Sequence, residues 1–169
     1  DLHNVGTIGQ IVKLLEMPDG STTAIIQGRK RMILQELVSD NPYFIAKVRA
    51  IPEIRPDVIS KDFTAIVGSL KDMSLKIIKI NPNISPEASF AIKNIENNTY
   101  LINFICSNTD IKIQEKQKLL EVNNIRDRGY MLLEFLVQEI QILELKSELQ
   151  SKVKSDLDQQ QREFLLHQQ

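Results

Sequence analysis

The sequence has little cysteine, little histidine and almost no net charge. Its single cysteine, Cys106, cannot form an internal disulfide, and the two histidines lie near opposite ends of the chain. A four-ligand zinc site of the usual kind cannot be assembled from them, so we expect no metal. The 21 Lys and Arg residues nearly balance 22 Asp and Glu residues. Because binding to phosphate backbones or anionic lipid needs concentrated positive charge, we expect neither a nucleic-acid nor a membrane partner.

Long hydrophobic runs and a secretion signal are also absent from the sequence. Its apolar stretches are only a few residues long, whereas a helix that spans a bilayer needs about 20. The N-terminus lacks a basic start followed by an apolar run and a small-residue cleavage site. With one cysteine, the chain is predicted to be intracellular and cytoplasmic. Its 169 residues suit one domain or two small subdomains.

Residues suited to catalysis do not occur at a recognisable spacing. Gly6 and Gly9 precede no phosphate-binding motif, so we interpret them as strand or bulge positions. Cys106 lies among apolar residues, which favours a small buried thiol over a nucleophile. The basic run 29–31 alternates between strand faces and is interpreted as solvated. The carboxylates of the C-terminal segment are interpreted as exposed helix charges, among them Glu134, Glu139, Glu144 and Glu148. We therefore predict no catalytic, cofactor-binding or metal-binding residue in this chain.

The fold class predicted from the sequence is α+β, with an antiparallel β-subdomain at residues 1–50. β-branched and apolar residues occur there in short runs separated by turn signals about ten residues apart. The predicted strands cover residues 5–16, 22–27, 29–37 and 43–50. Met17-Pro18-Asp19-Gly20 is predicted as a hairpin turn, and Gly28 as a break. Alternation in the last strand predicts one buried and one solvated face.

Helical periodicity replaces strand alternation after residue 50. Two prolines mark residues 51–57 as a linker, and residues 58–124 are predicted to form a helical bundle. Its first helix carries an apolar series at three- and four-residue spacing: Ile59, Phe63, Ile66, Val67, Leu70, Met73 and Ile77. Further helices are predicted from Ser85 to about Asn97, at 99–107, and from Asp110 to about Asn124.

Residues 125–169 contain no proline and are predicted to form one long projecting helix, on the order of 65 Å in length. Its first half is apolar enough to pack on the bundle, through Tyr130, Leu133, Leu136, Val137, Ile140, Leu143 and Leu145. Its second half carries only a narrow apolar stripe amid charged residues and glutamines. Such a helix projects into solvent or meets a partner helix.

Taken in chain order, several short motifs resemble the amino-terminal domain of the Lon family of ATP-dependent proteases. They are VGT at 5–7 with Ile11, LLEMPDG at 14–20, Gly28 with Arg31, ISPE at 84–87, Lys116-Gln117 with Leu120-Glu121, and Val153 followed by QREF at 161–164, Leu166 and Gln169. In the last motif Phe164 and Leu165 replace the usual tyrosines. The resemblance covers nearly the whole chain.

The resemblance implies a non-catalytic accessory domain whose long helix leads toward an ATPase module. Neither the phosphate-binding loop nor the Ser-Lys proteolytic pair of that family occurs here, so ATP and magnesium would bind elsewhere in the parent enzyme. Domains of this family help to capture unfolded or damaged proteins and to assemble a hexamer. They begin with further strands before the VGT motif, so the β-subdomain is expected to be incomplete at its N-terminus.

Two functions follow from the resemblance and the residues together. The first is capture of unfolded polypeptides on apolar surface, with Leu15, Met17, Pro18, Ile25 and Phe44 as candidates; ordinary core positions are the competing interpretation of each. The alternative is a purely structural oligomerisation module, in which the long helix associates with other subunits. The residues proposed for that contact are Leu149, Val153, Leu157, Phe164 and Leu165.

Overall fold

The computed structural model describes residues 2–56 and 60–167, and these form two compact units. Unit 1 contains the described residues up to position 56 together with Ile111–Arg128. Unit 2 contains the described residues from 60 to Asp110 and from Gly129 onward. Ile59 of the predicted apolar series and Gln169 of the last motif lie outside the described residues, as do the linker boundary positions 57 and 58.

The chain is α+β, as predicted: an antiparallel sheet precedes a set of helices that ends in one long helix. The elements are β1 (Val5–Glu16), β2 (Thr22–Ser39), β3 (Ile45–Ala50), α1 (Lys61–Ile80), α2 (Ala88–Asn94), α3 (Asn98–Asn108), α4 (Ile113–Glu121) and α5 (Ile125–His167). Both strand pairs are antiparallel, and the strand order is β1-β2-β3.

The predicted break at Gly28 is wrong, because β2 runs through it and the sheet has three strands instead of four. The register between β1 and β2 shifts at Ile8/Gly9, where Gly9 pairs with Gly28. A Cβ atom on Gly9 would lie 2.6 Å from Cγ2 of Ile26. A glycine is therefore needed here, because the strands form a bulge and approach each other closely. This confirms the interpretation of Gly9 as a strand or bulge position.

The hairpin turn between β1 and β2 is confirmed. The Gly20 amide donates to the Met17 carbonyl at 2.9 Å, and Gly20 has a φ of 82°, a value that side chains disfavour. Asp19 Oδ1 accepts from both the amide and the hydroxyl of Ser21. These hydrogen bonds to the charged form hold the pKa of the Asp19 carboxyl below its ordinary value.

The prediction that β3 buries one face is wrong. Ile45 and Val48 lie on opposite faces by alternation, and both are exposed. Across the three strands only Arg31 is buried. Within unit 1, α4 and the residues after it contact the sheet near Val5 and Arg31. Most other strand positions are exposed, and a few, such as Leu15 and Met32, are half-buried.

Residues 111–128 belong to the sheet unit in the structure, whereas the sequence division assigned residues up to 124 to the helical bundle. The reason is a set of polar contacts that no apolar periodicity reveals. Gln117 Nε2 donates to the Val5 carbonyl at 2.9 Å. The Ile54 amide donates to the Asn123 carbonyl, and the Ile125 amide donates to the Ile54 carbonyl. α4 itself begins at Ile113, three residues after the predicted start.

Unit 2 is built around an apolar core that α1, α3 and α5 share. Its most deeply buried side chains are Leu70, Leu101, Ile102, Leu132 and Leu136. The α1 helix is capped by Ser60 Oγ, which accepts from the Phe63 amide at 3.1 Å. Gly129 of α5 lies directly on this core, since a Cβ atom there would be 3.1 Å from both Ile66 and Ile102. The glycine therefore permits close helix packing.

The second predicted helix begins later and ends earlier than its sequence suggests. Ser85 and Pro86 were expected at its N-cap and first turn, but α2 starts at Ala88. The Ser85 hydroxyl bonds to the Glu87 carboxylate instead of a backbone amide. The Ala88 amide donates to the Ser85 carbonyl, which closes a separate turn before the helix.

In α5, the buried positions recur at three- and four-residue spacing: Ile125, Arg128, Gly129, Leu132, Leu136 and Ile140. Tyr130, Val137 and Leu145, which were expected to pack on the bundle, are exposed. From Glu144 to His167 every position is exposed. This exposed half of α5 is about 35 Å long at 1.5 Å per residue.

Candidate functional site

Unit 1 carries a cluster of exposed apolar side chains around the β1–β2 hairpin. We define the hairpin patch as Ile11, Leu14, Met17, Ile25 and Ile26, all of them exposed. Ile11 pairs directly with Ile26, so their side chains share one face of the sheet. Ile25 lies on the opposite face from Ile26, because successive residues of a strand alternate, so the patch includes both faces of the hairpin. Single exposed apolar residues are ordinary on a protein surface, whereas several around one turn make the hairpin a candidate interaction site.

Four of the five predicted capture residues lie at this hairpin. Met17 and Pro18 are in the exposed turn, Ile25 is exposed on β2, and Leu15 is half-buried on β1. Leu15 and Ile25 share a face, because Ile25 pairs with Lys13 and alternate residues of a strand point the same way.

Phe44, the fifth predicted residue, lies apart from the other four. It precedes β3, whose first residue Ile45 pairs with Ser39 at the far end of β2. The stretch of β2 between Ile25 and Ser39 is on the order of 45 Å at about 3.3 Å per residue. Phe44 belongs instead to a second cluster, the distal patch, which we define as Val38, Tyr43 and Phe44, all exposed.

Sequence reasoning missed several members of these patches. Ile11, Leu14, Ile26 and Tyr43 lie in predicted strands and are absent from the predicted capture residues, yet Ile26 is 61% exposed. Alternation places residues on faces but does not tell whether a face is covered. The density of apolar residues on both sides of the turn was the available signal.

A buried ion cluster holds the sheet to the segments that follow it. Arg31 Nη1 donates to the Leu120 carbonyl at 2.8 Å and to Asn123 Oδ1 at 3.1 Å. Glu53 Oε1 lies 2.8 Å from Arg128 Nη1 and 4.0 Å from Arg31 Nε. One carboxylate thus faces two guanidinium groups.

The solvated interpretation of the basic run 29–31 is therefore wrong for Arg31, which is only 8% exposed. Burial and the neighbouring Arg128 lower the Arg31 pKa, while Glu53 opposes the shift. This cluster holds β2 against the first turn of α5. None of its three charged residues belongs to the hairpin patch or the distal patch. Its role is architectural.

Unit 2 presents a different surface on the exposed half of α5. Leu149, Val153 and Leu157 follow one another at four-residue spacing and form a narrow line on the helix. Phe164 and Leu165 continue the exposed apolar series about two turns later. We call these five residues the α5 stripe. An apolar line of this kind is typical of a helix that contacts another helix.

Residues 2–56 and 60–167 contain no group of three His, Cys, Asp or Glu side chains that could hold a metal ion. In the same part of the chain, no helix has the length and apolarity that a membrane crossing requires.

Comparisons with known proteins agree with this architecture. The family model described as ATP-dependent protease La (LON) substrate-binding domain matches residues 1–138. The Lon protease of Flavobacterium johnsoniae is 49% identical over 169 residues, which is 100% of this chain and 21% of that protein. The Lon protease of Cytophaga hutchinsonii is 42% identical, again over 100% of this chain and 21% of that protein. The chain therefore spans about a fifth of the length of these curated relatives.

Two solved structures share the fold. The N-terminal domain of Mycobacterium avium complex Lon protease superposes with a TM-score of 0.66 at 17% identity, over 79% of this chain and 70% of that one. The Lon N-terminal domain protein from Xanthomonas campestris superposes with a TM-score of 0.54 at 15% identity, over 78% and 68%. With more than half of the sequence matched by one family model, the chain belongs to the Lon (protease La) substrate-binding domain family.

Proposed function

We propose that the chain recognises unfolded or damaged polypeptides as the substrate-binding domain of a Lon-type protease. The observation that carries this proposal is the hairpin patch, where large apolar side chains stay exposed on a well-formed sheet. An unfolded polypeptide exposes apolar side chains that a folded protein conceals. Contact between the two removes apolar surface from water, at about 25 cal/mol for each Å².

Two patches on one unit suit an extended substrate better than a compact one. The hairpin and distal patches lie toward opposite ends of β2. Each contact alone would be weak, because association entropy must be overcome first. Two weak contacts along one unfolded chain reinforce each other through a raised effective concentration.

The test is equilibrium binding of the chain to one protein in its folded form and in a permanently unfolded form. Preferential binding of the unfolded form is expected, and equal binding of both forms would refute substrate recognition. The variant Met17→Gln with Ile25→Thr should weaken binding about fivefold or more, since it removes two exposed apolar groups at the hairpin. Its matched control is Ile113→Thr on α4, which removes an apolar side chain that is 76% exposed outside both patches.

We further propose that the α5 stripe supports assembly. Every residue from Glu144 to His167 is exposed, so none of the residues that the structure describes covers the stripe. The combined variant Val153→Asp and Leu157→Asp should abolish self-association measured by light scattering. Ser151→Asp with Ser155→Asp is the control, because it adds the same charge to the same helix outside the stripe. An unchanged mass in the stripe variant would refute this role and leave capture unaffected.

The same proposal extends to the longer protein. There the chain would be the non-catalytic accessory part of a cytoplasmic, hexameric Ser-Lys endopeptidase, and ATP with magnesium would bind in segments beyond these residues. The division into residues 1–50, 51–57, 58–124 and 125–169 is retained as a proposal for how the sequence is organised. Mass measurement of the full-length protein with and without ATP tests the hexamer.

A further inference from the structure

Unit 2 contains a cavity of about 430 Å³ that neither proposed role uses. Its apolar wall includes Ile77, Ile92, Ile105 and Leu136. Its volume lies within the range of about 300 to 1,000 Å³ that small-ligand sites occupy. The space is sufficient for one large apolar side chain together with the backbone atoms next to it.

The charged groups of the cavity are all of one sign. Asp110 and Glu139 line it, and none of the described residues that line it is Lys, Arg or His. Burial of Glu139 and the nearby charge of Asp110 raise the pKa of the Glu139 carboxyl. Two carboxylates on a partly desolvated wall favour a ligand that carries positive charge.

Uncharged polar atoms of the cavity also lack partners. Ser74 lines the cavity at only 7% exposure, and its Oγ makes no hydrogen bond. Asn81 Oδ1 accepts from the Asn83 amide at 3.0 Å, which leaves the Asn81 Nδ2 group available as a donor. A buried hydroxyl without a partner costs free energy, and a polar ligand atom that reached it would remove that cost.

We propose that this cavity binds the amino-terminal residue of a polypeptide when that residue is large and apolar. The ammonium group would meet the carboxylates of Asp110 and Glu139, and the side chain would meet the isoleucine and leucine wall. The carbonyl of the first residue would accept from Asn81. This inference rests on the proposed substrate recognition and specifies one substrate class, polypeptides whose amino-terminal residue is large and apolar.

An amino terminus fits these groups better than an internal lysine does. A lysine side chain would bring a charge and a methylene stem, but no acceptor for the amide of Asn81 and no branched group for the apolar wall. The first residue of a polypeptide offers the charge, a carbonyl acceptor and an apolar side chain within a few ångströms. Capture of a terminal amine is a known mode of peptide recognition.

The experiment uses fluorescence anisotropy with a Leu-Ser-Gly-Ser-Gly peptide labelled at its C-terminus. The peptide with a free amine should bind, and its N-acetylated form should bind at least about tenfold more weakly because the charge is lost. A peptide that begins with glycine should also bind more weakly, because it has no side chain for the wall. An acetylated peptide that begins with lysine and keeps its side-chain amine should not bind. Equal binding of the acetylated leucine peptide, or tight binding of the acetylated lysine peptide, would overturn the proposal.

Variants assign the binding to the cavity. Glu139→Gln and Asp110→Asn keep the side-chain shape and should each weaken the free-amine peptide about tenfold. Glu148→Gln, on the exposed half of the same helix, is the matched control and should have no effect. An equal loss in all three variants would overturn the assignment. Circular dichroism verifies that each variant is folded.

One further arm separates this inference from the proposed function. The unfolded test protein is acetylated at its amino terminus and titrated against the same chain. If it still binds while the leucine peptide does not, the cavity assignment fails and substrate capture stands. If the leucine peptide binds while the acetylated protein does not, capture by the hairpin patch fails and the cavity site stands.

Discussion

The two units of this chain differ in what holds their elements together. In unit 1 the strands are largely exposed, and Arg31, the one buried strand residue, shares Glu53 with Arg128 and bonds to backbone carbonyls. The buried apolar side chains of this unit, Leu119 and Ile125, lie outside the strands. In unit 2 the helices close on apolar side chains such as Leu101, which is completely buried. A polar tie fixes geometry at a few atoms and requires no apolar cover over the sheet.

This difference explains how a stable unit can leave apolar surface open. A sheet that depended on apolar burial for its stability would have to cover Ile11 and Ile26. Because the tie at Glu53 instead fixes β2 to the segments after it, those side chains remain available for binding. The following variants test the contrast, beginning with the largest expected effect.

Glu53→Gln should be the most destabilising change in the chain. It would leave two buried guanidinium groups facing each other without a counter-charge, and breaking a buried pair in this way costs about 3 to 5 kcal/mol. Urea denaturation measures the loss of unfolding free energy. The control is Arg55→Gln, which removes the exposed partner 3.8 Å from Glu53 and should change stability by less than about 0.5 kcal/mol. A cost near 1 kcal/mol for Glu53→Gln would mean that unit 1 depends on other contacts.

Gly129→Val tests the apolar packing of unit 2. The new side chain would press on Ile66 and Ile102, and overpacking of a dense core costs about 2 kcal/mol. Gly68→Val is the control, since a Cβ atom at Gly68 meets nothing within 4 Å and the position is exposed. Gly129→Val should therefore lower the melting temperature, whereas Gly68→Val should leave it unchanged or raise it slightly. Equal destabilisation would show that the packing at Gly129 is not tight.

Ser60→Ala tests whether polar contacts at helix ends matter in unit 2. It removes the cap on the Phe63 amide and should cost about 1 kcal/mol. Lys61→Ala, one residue later and without a capping role, is expected to be nearly neutral. Chemical denaturation of both variants measures the difference, and a neutral Ser60→Ala would mean that this cap does not stabilise α1.

Glu139→Gln has the smallest expected effect on stability, and unlike the preceding variants it should raise the free energy of unfolding. Because the Glu139 pKa is raised above its ordinary 4.5, folding favours the protonated form. The stability that this preference contributes is complete below pH 4.5 and is lost as the pH rises through the higher folded value. The variant should therefore be slightly more stable than the parent chain at pH 7, by no more than about 0.5 kcal/mol, and no different at pH 4. Melting curves at the two pH values measure this, and a variant that is less stable at pH 7 would contradict it.

Most of the fold could be predicted from the sequence because its strongest signals are local. The MPDG turn predicts its hairpin through the conformational needs of proline and glycine, and the apolar series of α1 predicts a helix through its spacing. The absence of proline after residue 125 predicts α5. The predicted strand break at Gly28 was wrong for a physical reason. A glycine in a strand indicates either a strand end or a bulge, and only the partner strand determines which.

The candidate site was harder to predict because exposure is not a local property. Met17 and Pro18 were found through the turn, whereas the exposure of Ile26 depends on which elements fail to cover it. Arg31 and Glu139 were both interpreted as solvated charges, although one is buried and the other lines a cavity. Their surroundings come from residues more than twenty positions away in the chain, which periodicity cannot report.

The shared carboxylate of Glu53 also has an evolutionary consequence. Replacement of Glu53 alone leaves the Arg31 and Arg128 guanidinium groups without their shared carboxylate, whereas the loss of one arginine still leaves that carboxylate a partner. Sequence drift at Arg31 and Arg128 should therefore be tolerated only in certain orders, and Glu53 should be replaced last. In aligned descendants, Glu53 is therefore expected to be replaced only where Arg31 and Arg128 have already been replaced.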